Sequence, residues 1–158
     1  MEVFSFNDAE GLVAERCSVI ETPDHLFAHA GTYLPDKDMV ILCGGNIDAP
    51  ENCYSMKTGS DSWTETEVST MNYKRAYFGM VFVENQGILA VGGFDPEGDP
   101  GDQILDTAEI YKPEQNFWQT TNVDIPSKMY RHCVAAYGPN RVIAIGGYQN
   151  GQVRYIFS

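Results

Sequence analysis

The chain has 158 residues, the length of one domain, and a formal net charge of −12 at pH 7. This excess of carboxylates argues against a nucleic-acid-binding protein and against a polybasic membrane-surface protein, because both depend on clustered lysines and arginines. Hydrophobic residues make up 43% of the chain, enough for a packed core, and no apolar run approaches the roughly 20 residues of a membrane span. The first residues lack a basic and apolar leader pattern, which favours a cytoplasmic location.

Three glycine pairs divide the chain into repeating units. Gly44-Gly45, Gly92-Gly93 and Gly146-Gly147 each follow a short apolar run, and successive pairs are 48 and 54 residues apart. A second apolar run precedes each of these, at 28–34, 76–83 and 131–137. After the first two pairs come a tyrosine and then a tryptophan, namely Tyr54 with Trp63 and Tyr111 with Trp118. Each complete unit therefore predicts four strands.

The units follow one another along the chain as two halves and two complete repeats. Residues 2–24 are predicted to form a half repeat, in which Phe4 and Leu12 take the tyrosine and tryptophan positions. Residues 25–74 and 75–130 are complete repeats, and residues 131–158 are a second half repeat. All of them belong to one domain.

The apolar runs indicate strands that are covered on both faces. They are continuous rather than alternating, short, and rich in β-branched residues. No segment has a sustained apolar period of 3.6 residues, so we expect essentially no helix. Polar turn sequences separate the strands where the scheme requires them, for example at 36–38, 85–87 and 138–140.

A glycine pair, a tyrosine and a tryptophan in units of about 50 residues resemble the kelch repeat, which forms a blade of a β-propeller. The resemblance spans nearly the whole chain. It implies an all-β fold, a kelch-type β-propeller segment of four-stranded antiparallel blades. His29 and His132 stand where kelch repeats often carry histidine, and Tyr77 takes that place in the middle repeat. Arg131 matches the arginine that often precedes this histidine, and Arg75 lies nearby in the middle repeat.

The number of repeats leaves the propeller incomplete. Closed propellers usually have 4 to 8 blades, and only about three blade equivalents are present here. Two explanations are open: flanking blades are missing, or two copies pair as a homodimer whose half blades complete each other, giving about six blades.

The sequence offers little chemistry for catalysis. Its four cysteines form no C-x-x-C pair, so we expect buried free thiols and no zinc. His25 and His29 are expected to be ordinary hydrogen-bonded side chains rather than ligands. The acidic loop 95–102 departs from a calcium loop at its sixth and twelfth positions, which predicts a solvated loop. We expect no catalytic residue, no metal and no cofactor.

Binding is the function that this pattern favours. Propellers present recognition residues on the loops at the ends of their sheets. The predicted partner-binding residues are Tyr73, Arg75, Tyr130, Arg131, Asn46, Asp48, Tyr148 and Asn150. In kelch adaptors of ubiquitin ligases, arginines at such loops often hold acidic peptides; the alternative is that Arg75 and Arg131 support the turns between blades.

The sequence is compatible with two functions. The first is a non-enzymatic protein–protein interaction module that recognises a degradation substrate or a cytoskeletal protein. The alternative is a fragment of a kelch-type enzyme, a copper radical oxidase or a sugar mutarotase.

Overall fold

The computed structural model describes residues 3–7, 11–15, 22–23, 26–45, 48–122, 125–138, 140–149 and 152–153. This part of the chain is all-β and contains no α-helix, which confirms the expectation from the missing helical period. Its one helical turn is the 3-10 turn Pro35–Lys37.

The strands are β1 (Val3–Asn7), β2 (Gly11–Glu15), β3 (Ala30–Leu34), β4 (Met39–Cys43), β5 (Cys53–Lys57), β6 (Gly79–Val83), β7 (Gly87–Val91), β8 (Ala108–Lys112), β9 (Phe117–Thr120), β10 (Tyr130–Ala136), β11 (Val142–Gln149) and β12 (Gln152–Val153). They form four antiparallel sheets in chain order: the hairpin β1–β2, a first sheet β3–β5, a middle sheet β6–β9 and a last sheet β10–β12.

The first and middle sheets pack face to face and enclose the main core. Ile41 from the first sheet and Ile88 and Ala90 from the middle sheet have no exposed surface. The Thr32 hydroxyl oxygen accepts a hydrogen bond from the Phe82 N–H, 3.2 Å away, so strands β3 and β6 also meet at their polar groups. Both faces of the middle sheet's inner strands are covered, which explains their continuous apolar sequence.

The last sheet covers the opposite face of the middle sheet. A Cβ atom at Gly79 would lie only 2.6 Å from the Val134 side chain and 3.0 Å from His132. Because glycine has no Cβ, β6 and β10 can approach each other more closely here than any other residue would permit.

Only the middle sheet has the four strands that each complete repeat predicts. In the first sheet, the strand expected around Trp63 is reduced to a bridge between Ser55 and Thr64. Side chains hold this segment in place of a backbone ladder: Asn52 donates to Glu65 over 2.6 Å, and Glu67 accepts from Ser55 and Lys57.

The glycine pairs are equivalent in the structure. The second glycine of each pair lies against the residues at the start of the first strand of its own sheet. A Cβ at Gly45, Gly93 or Gly147 would clash with backbone or Cβ atoms there. In the first two pairs the first glycine instead accommodates the connection that leads to the next sheet: a Cβ would lie 2.4 Å from the Arg75 carbonyl oxygen at Gly44, and 2.7 Å from that of Met129 at Gly92.

A disulfide joins Cys43 to Cys53, so the expectation of free thiols is wrong for this pair. The two cysteines face each other across β4 and β5, and both are buried. Sequence spacing did not point to the bond because the pairing comes from strand register, which brings positions 10 residues apart together. Cys133 is free and exposed, and Cys17 lies outside the described residues.

Removing the disulfide should destabilise the chain. It closes a short loop, and the loss of chain entropy in the unfolded state predicts about 2–3 kcal/mol. The double variant Cys43→Val/Cys53→Ala reproduces Val91 and Ala108, the pair at the same register in the middle sheet. In denaturant titrations we expect wild type to lose this stability on adding a reductant and the double variant to be insensitive to it. A reductant-independent wild type would contradict the prediction.

Candidate partner-binding surface

The connections between strands lie at two ends of the stacked sheets. One end, called the loop end, carries the described parts of the long connections, at 44–45, 48–52, 71–78, 92–107 and 125–129. The opposite, hairpin end carries the described parts of the short turns, at 35–38, 84–86, 113–116, 137–138 and 140–141. Of the predicted binding residues, the structure places six at the loop end: Asp48, Tyr73, Arg75, Tyr130, Arg131 and Tyr148.

Arg75 lies at the loop end but is fully buried, which corrects its assignment to the binding surface. Its Nε atom donates to Glu109 over 2.8 Å, and neither side chain has exposed area. The remaining guanidinium nitrogens donate to the Gly92 carbonyl at 2.6 Å and to the backbone and hydroxyl oxygens of Thr107 at 3.0 Å. Burial lowers the pKa of Arg75, and the Glu109 carboxylate opposes this change. Arg75 therefore takes the alternative role, support of the inter-sheet turn.

Glu109 completes this arrangement from the middle sheet. It also accepts hydrogen bonds from the backbone N–H of Asn72 at 2.8 Å and from the Asn72 side-chain amide at 3.0 Å. The Tyr73 N–H donates to its other oxygen at 3.4 Å, and the Arg75 guanidinium lies 5.2 Å from the Tyr73 ring centre. The half-buried Tyr73 is thus packed onto the ion pair rather than presented as an independent contact.

Register shows that Arg75 and Arg131 are not equivalent. The Gly45 N–H donates to the Arg75 carbonyl and the Gly93 N–H donates to the Met129 carbonyl, so Arg75 corresponds to Met129. Arg131 and Tyr77 correspond instead, and both have positive φ, at 57° and 53°.

Strand register also changes the assignment of two other motif positions, those of the histidine and of the tyrosine. His132 faces Gly146 across its hairpin, and Phe78 precedes the equivalent pair, so Phe78 rather than Tyr77 takes the histidine place in the middle repeat. Tyr54 faces Leu42, which aligns it with Glu109 rather than with Tyr111. Tyr111 and Trp118 pack together with their ring centres 5.3 Å apart.

Four aromatic rings and Arg131 form what we call the aromatic cluster: Tyr77, Phe94, Tyr130, Arg131 and Tyr148. The Tyr130 ring centre lies 6.4 Å from that of Tyr77, 6.0 Å from Phe94 and 5.9 Å from Tyr148. The Arg131 guanidinium lies 4.6 Å from the Tyr77 ring centre and 5.7 Å from that of Tyr130. Tyr148 is 41% exposed, so partner molecules can reach the cluster.

The structure thus brings together three of the predicted binding residues, namely Tyr130, Arg131 and Tyr148. Asp48 is exposed on the β4–β5 connection. Asn46 and Asn150 lie outside the described residues.

Carboxylates surround the two lysines of the loop end. Lys74 pairs with Glu97, and this hydrogen bond, with the further charges of Glu51 and Asp95, raises the pKa of Lys74. Lys128 pairs with Asp102, and that hydrogen bond, with the charge of Asp106, raises the pKa of Lys128. Within the described residues, no group of His, Cys, Asp or Glu has an arrangement suited to a metal ion.

A cleft of about 360 Å³ opens at the hairpin end, between the middle and last sheets. Its apolar lining includes Leu89, Ile110 and Val142, and Gln86 donates to Asn140 across it over 3.4 Å. The lining contains no titratable side chain. We place the candidate site at the loop end, because the aromatic cluster there combines an exposed tyrosine with an arginine.

Three residues that organise the loop end were not predicted from the sequence. Glu109 was not predicted because a single acidic residue in a strand does not indicate that its partner lies 34 positions earlier in the chain. Tyr77 was considered only as a histidine replacement, although its equivalence to Arg131 places it in the cluster. Phe94 follows the second glycine pair directly, as Tyr148 follows the third, and this correspondence could have identified it.

The fold and this surface define an all-β protein of stacked antiparallel sheets whose long connections gather at one end. No protein-family model matches the chain. The chain is 32% identical over 145 residues to the spermatocyte protein spe-26 of Caenorhabditis elegans, an alignment that covers 87% of this chain and 24% of spe-26. The chain thus spans about a quarter of that relative.

Among solved structures, that of YjhT superposes on the chain with a TM-score of 0.66. The match covers 82% of this chain and 36% of YjhT, at 19% identity, and it bears on the fold alone. Within the described residues, no helix is long and apolar enough to cross a membrane.

Proposed function

We propose that the sheets are blades of a kelch-type β-propeller and that the chain is a protein–protein interaction module without catalytic activity. The equivalent glycine pairs and the face-to-face packing of the sheets support the blade assignment. The aromatic cluster supports the binding role, since tyrosine and arginine are enriched among residues that dominate binding energy. The cytoplasmic location stays a prediction, as does recognition of a degradation substrate or a cytoskeletal protein.

The last sheet supports a further blade beyond it, either from missing flanking blades or from a second copy. Ile145 is 43% exposed on the face turned away from the middle sheet. At Gly146 a Cβ would meet nothing within 4 Å among the described residues, whereas at Gly44 and Gly92 the equivalent space holds a carbonyl of the connection that leads to the next sheet. The alternative, a fragment of a kelch-type enzyme, stays a prediction.

Selection from a random peptide library tests the binding role without assuming a ligand. We expect peptides to be enriched on the wild-type chain and to lose binding to the double variant Arg131→Ala/Tyr148→Ala. The control Glu84→Ala/Phe117→Ala removes an exposed charge and an exposed ring elsewhere on the chain, and should retain them. Failure to enrich any peptide, or equal binding by both variants, would contradict the proposal.

A further inference from the structure

The charge at the loop end is the reverse of what an acidic ligand requires. Arg75 is buried and paired, and the side chains of Lys74 and Lys128 are each bound to a carboxylate. Arg131 is exposed, but its guanidinium lies over two rings of its own chain. Few cations are therefore available to a partner.

Carboxylates outnumber these cations at the loop end. We call Glu51, Asp95, Glu97, Asp99, Asp102 and Asp106 the acidic rim. The rim is continuous with the cluster, because Phe94 directly precedes Asp95 and the loop that carries most of these residues. Five of the six carboxylates raise the pKa of Lys74 or Lys128. Because there are six carboxylates and two lysines, the rim keeps a net negative charge after pairing.

The cluster itself is suited to a cation. Tyrosine and phenylalanine faces attract ammonium and guanidinium groups within about 6 Å. The position of Arg131 over Tyr77 and Tyr130 is an example of that contact within the chain. Tyr148 adds an accessible ring whose centre lies 5.9 Å from that of Tyr130.

We propose that the loop end binds a basic segment of a partner protein, rich in lysine and arginine, with its cations against the aromatic cluster and the acidic rim. This inference rests on the proposed binding function and names its ligand class. The net charge of −12 favours the same partner, because long-range attraction raises the rate of encounter with a basic protein.

Fluorescence anisotropy with two labelled peptides of opposite charge tests the inference. One carries four alternating arginines and lysines between glycines, and the other has glutamates and aspartates at the same positions. We expect the wild-type chain to bind the basic peptide at low salt and not the acidic one. Raising the salt should weaken binding by on the order of tenfold, because the contacts are largely exposed.

Charge-matched variants separate local recognition from general attraction. Glu97→Lys/Asp99→Lys alters the acidic rim, and Glu84→Lys/Glu114→Lys makes the same change in net charge at the hairpin end. The first should weaken binding of the basic peptide by about tenfold, as should Tyr148→Ala through its lost ring face, whereas the second should leave most of the affinity. Circular dichroism confirms that each variant is folded.

Three results would overturn the inference: tighter binding of the acidic peptide, no binding of the basic peptide, or equal weakening by the two charge-reversal pairs. Each is distinguishable from failure of the binding role itself. Library peptides that are acidic, yet depend on Arg131 and Tyr148, would retain the interaction module and reject the basic partner.

Discussion

Replacing Glu109 by alanine is expected to destabilise the chain by about 3–5 kcal/mol, because the Arg75 guanidinium would be left buried without its counter-charge. The backbone N–H groups of Asn72 and Tyr73 would lose their acceptor at the same time. A domain is typically stable by only about 5–15 kcal/mol, so this change threatens folding at physiological temperature. Urea unfolding followed by tryptophan fluorescence measures the effect.

Two comparisons identify the cause of that loss. Asp102→Ala removes the carboxylate of an ion pair whose acidic side chain is 75% exposed, and should change the stability far less than Glu109→Ala does. The double variant Arg75→Met/Glu109→Leu leaves no buried charge. Its loss of stability should therefore be smaller than the summed losses of the single variants Arg75→Met and Glu109→Leu. Additive losses would mean that the ion pair is not the source of the stability.

The positions of the strands could be predicted from sequence because they depend on local pattern, but cover on both faces holds for β7 and not for β11, where Ile145 is 43% exposed. Continuous apolar runs before Gly44, Gly92 and Gly146 indicated strands covered on both faces, and the structure confirms antiparallel strands there. The absence of helix was predictable for the same reason. The expected strand around Trp63 was wrong because spacing alone does not reveal that neighbouring side chains replace a backbone ladder.

Pairwise partners could not be predicted in the same way, because they depend on register. Tyr54 lies two residues before the position in its repeat that corresponds to Tyr111. Arg131 lies two residues after the position in its repeat that corresponds to Arg75. Such shifts preserve a recognisable motif in sequence while changing which side chains meet. They explain why Arg75 was assigned to the surface, although it is buried, and why the bond between Cys43 and Cys53 was not expected.

Stability should fall between pH 6.5 and pH 4 because of His132. The side chain is 6% exposed, and neither ring nitrogen makes a well-formed hydrogen bond within the described residues. Burial lowers the pKa of His132 from 6.5 to about 4, opposed by the nearby Val91 backbone. Above pH 6.5 the ring is neutral in both the folded and the unfolded chain. Below it the unfolded chain takes up a proton that the folded chain resists, so the free energy of unfolding falls as pH decreases.

The variant His132→Phe isolates this contribution. Phe78 takes the equivalent place in the middle sheet, so the fold already accepts that ring at this position of the repeat. Between pH 7 and pH 4, wild type should lose about 3 kcal/mol more stability than the variant, from the shift of about 2.5 pKa units. Carboxylates titrate in both chains and cancel in the difference. Parallel pH profiles of the two unfolding free energies would mean that His132 is protonated in the folded chain as readily as in the unfolded one.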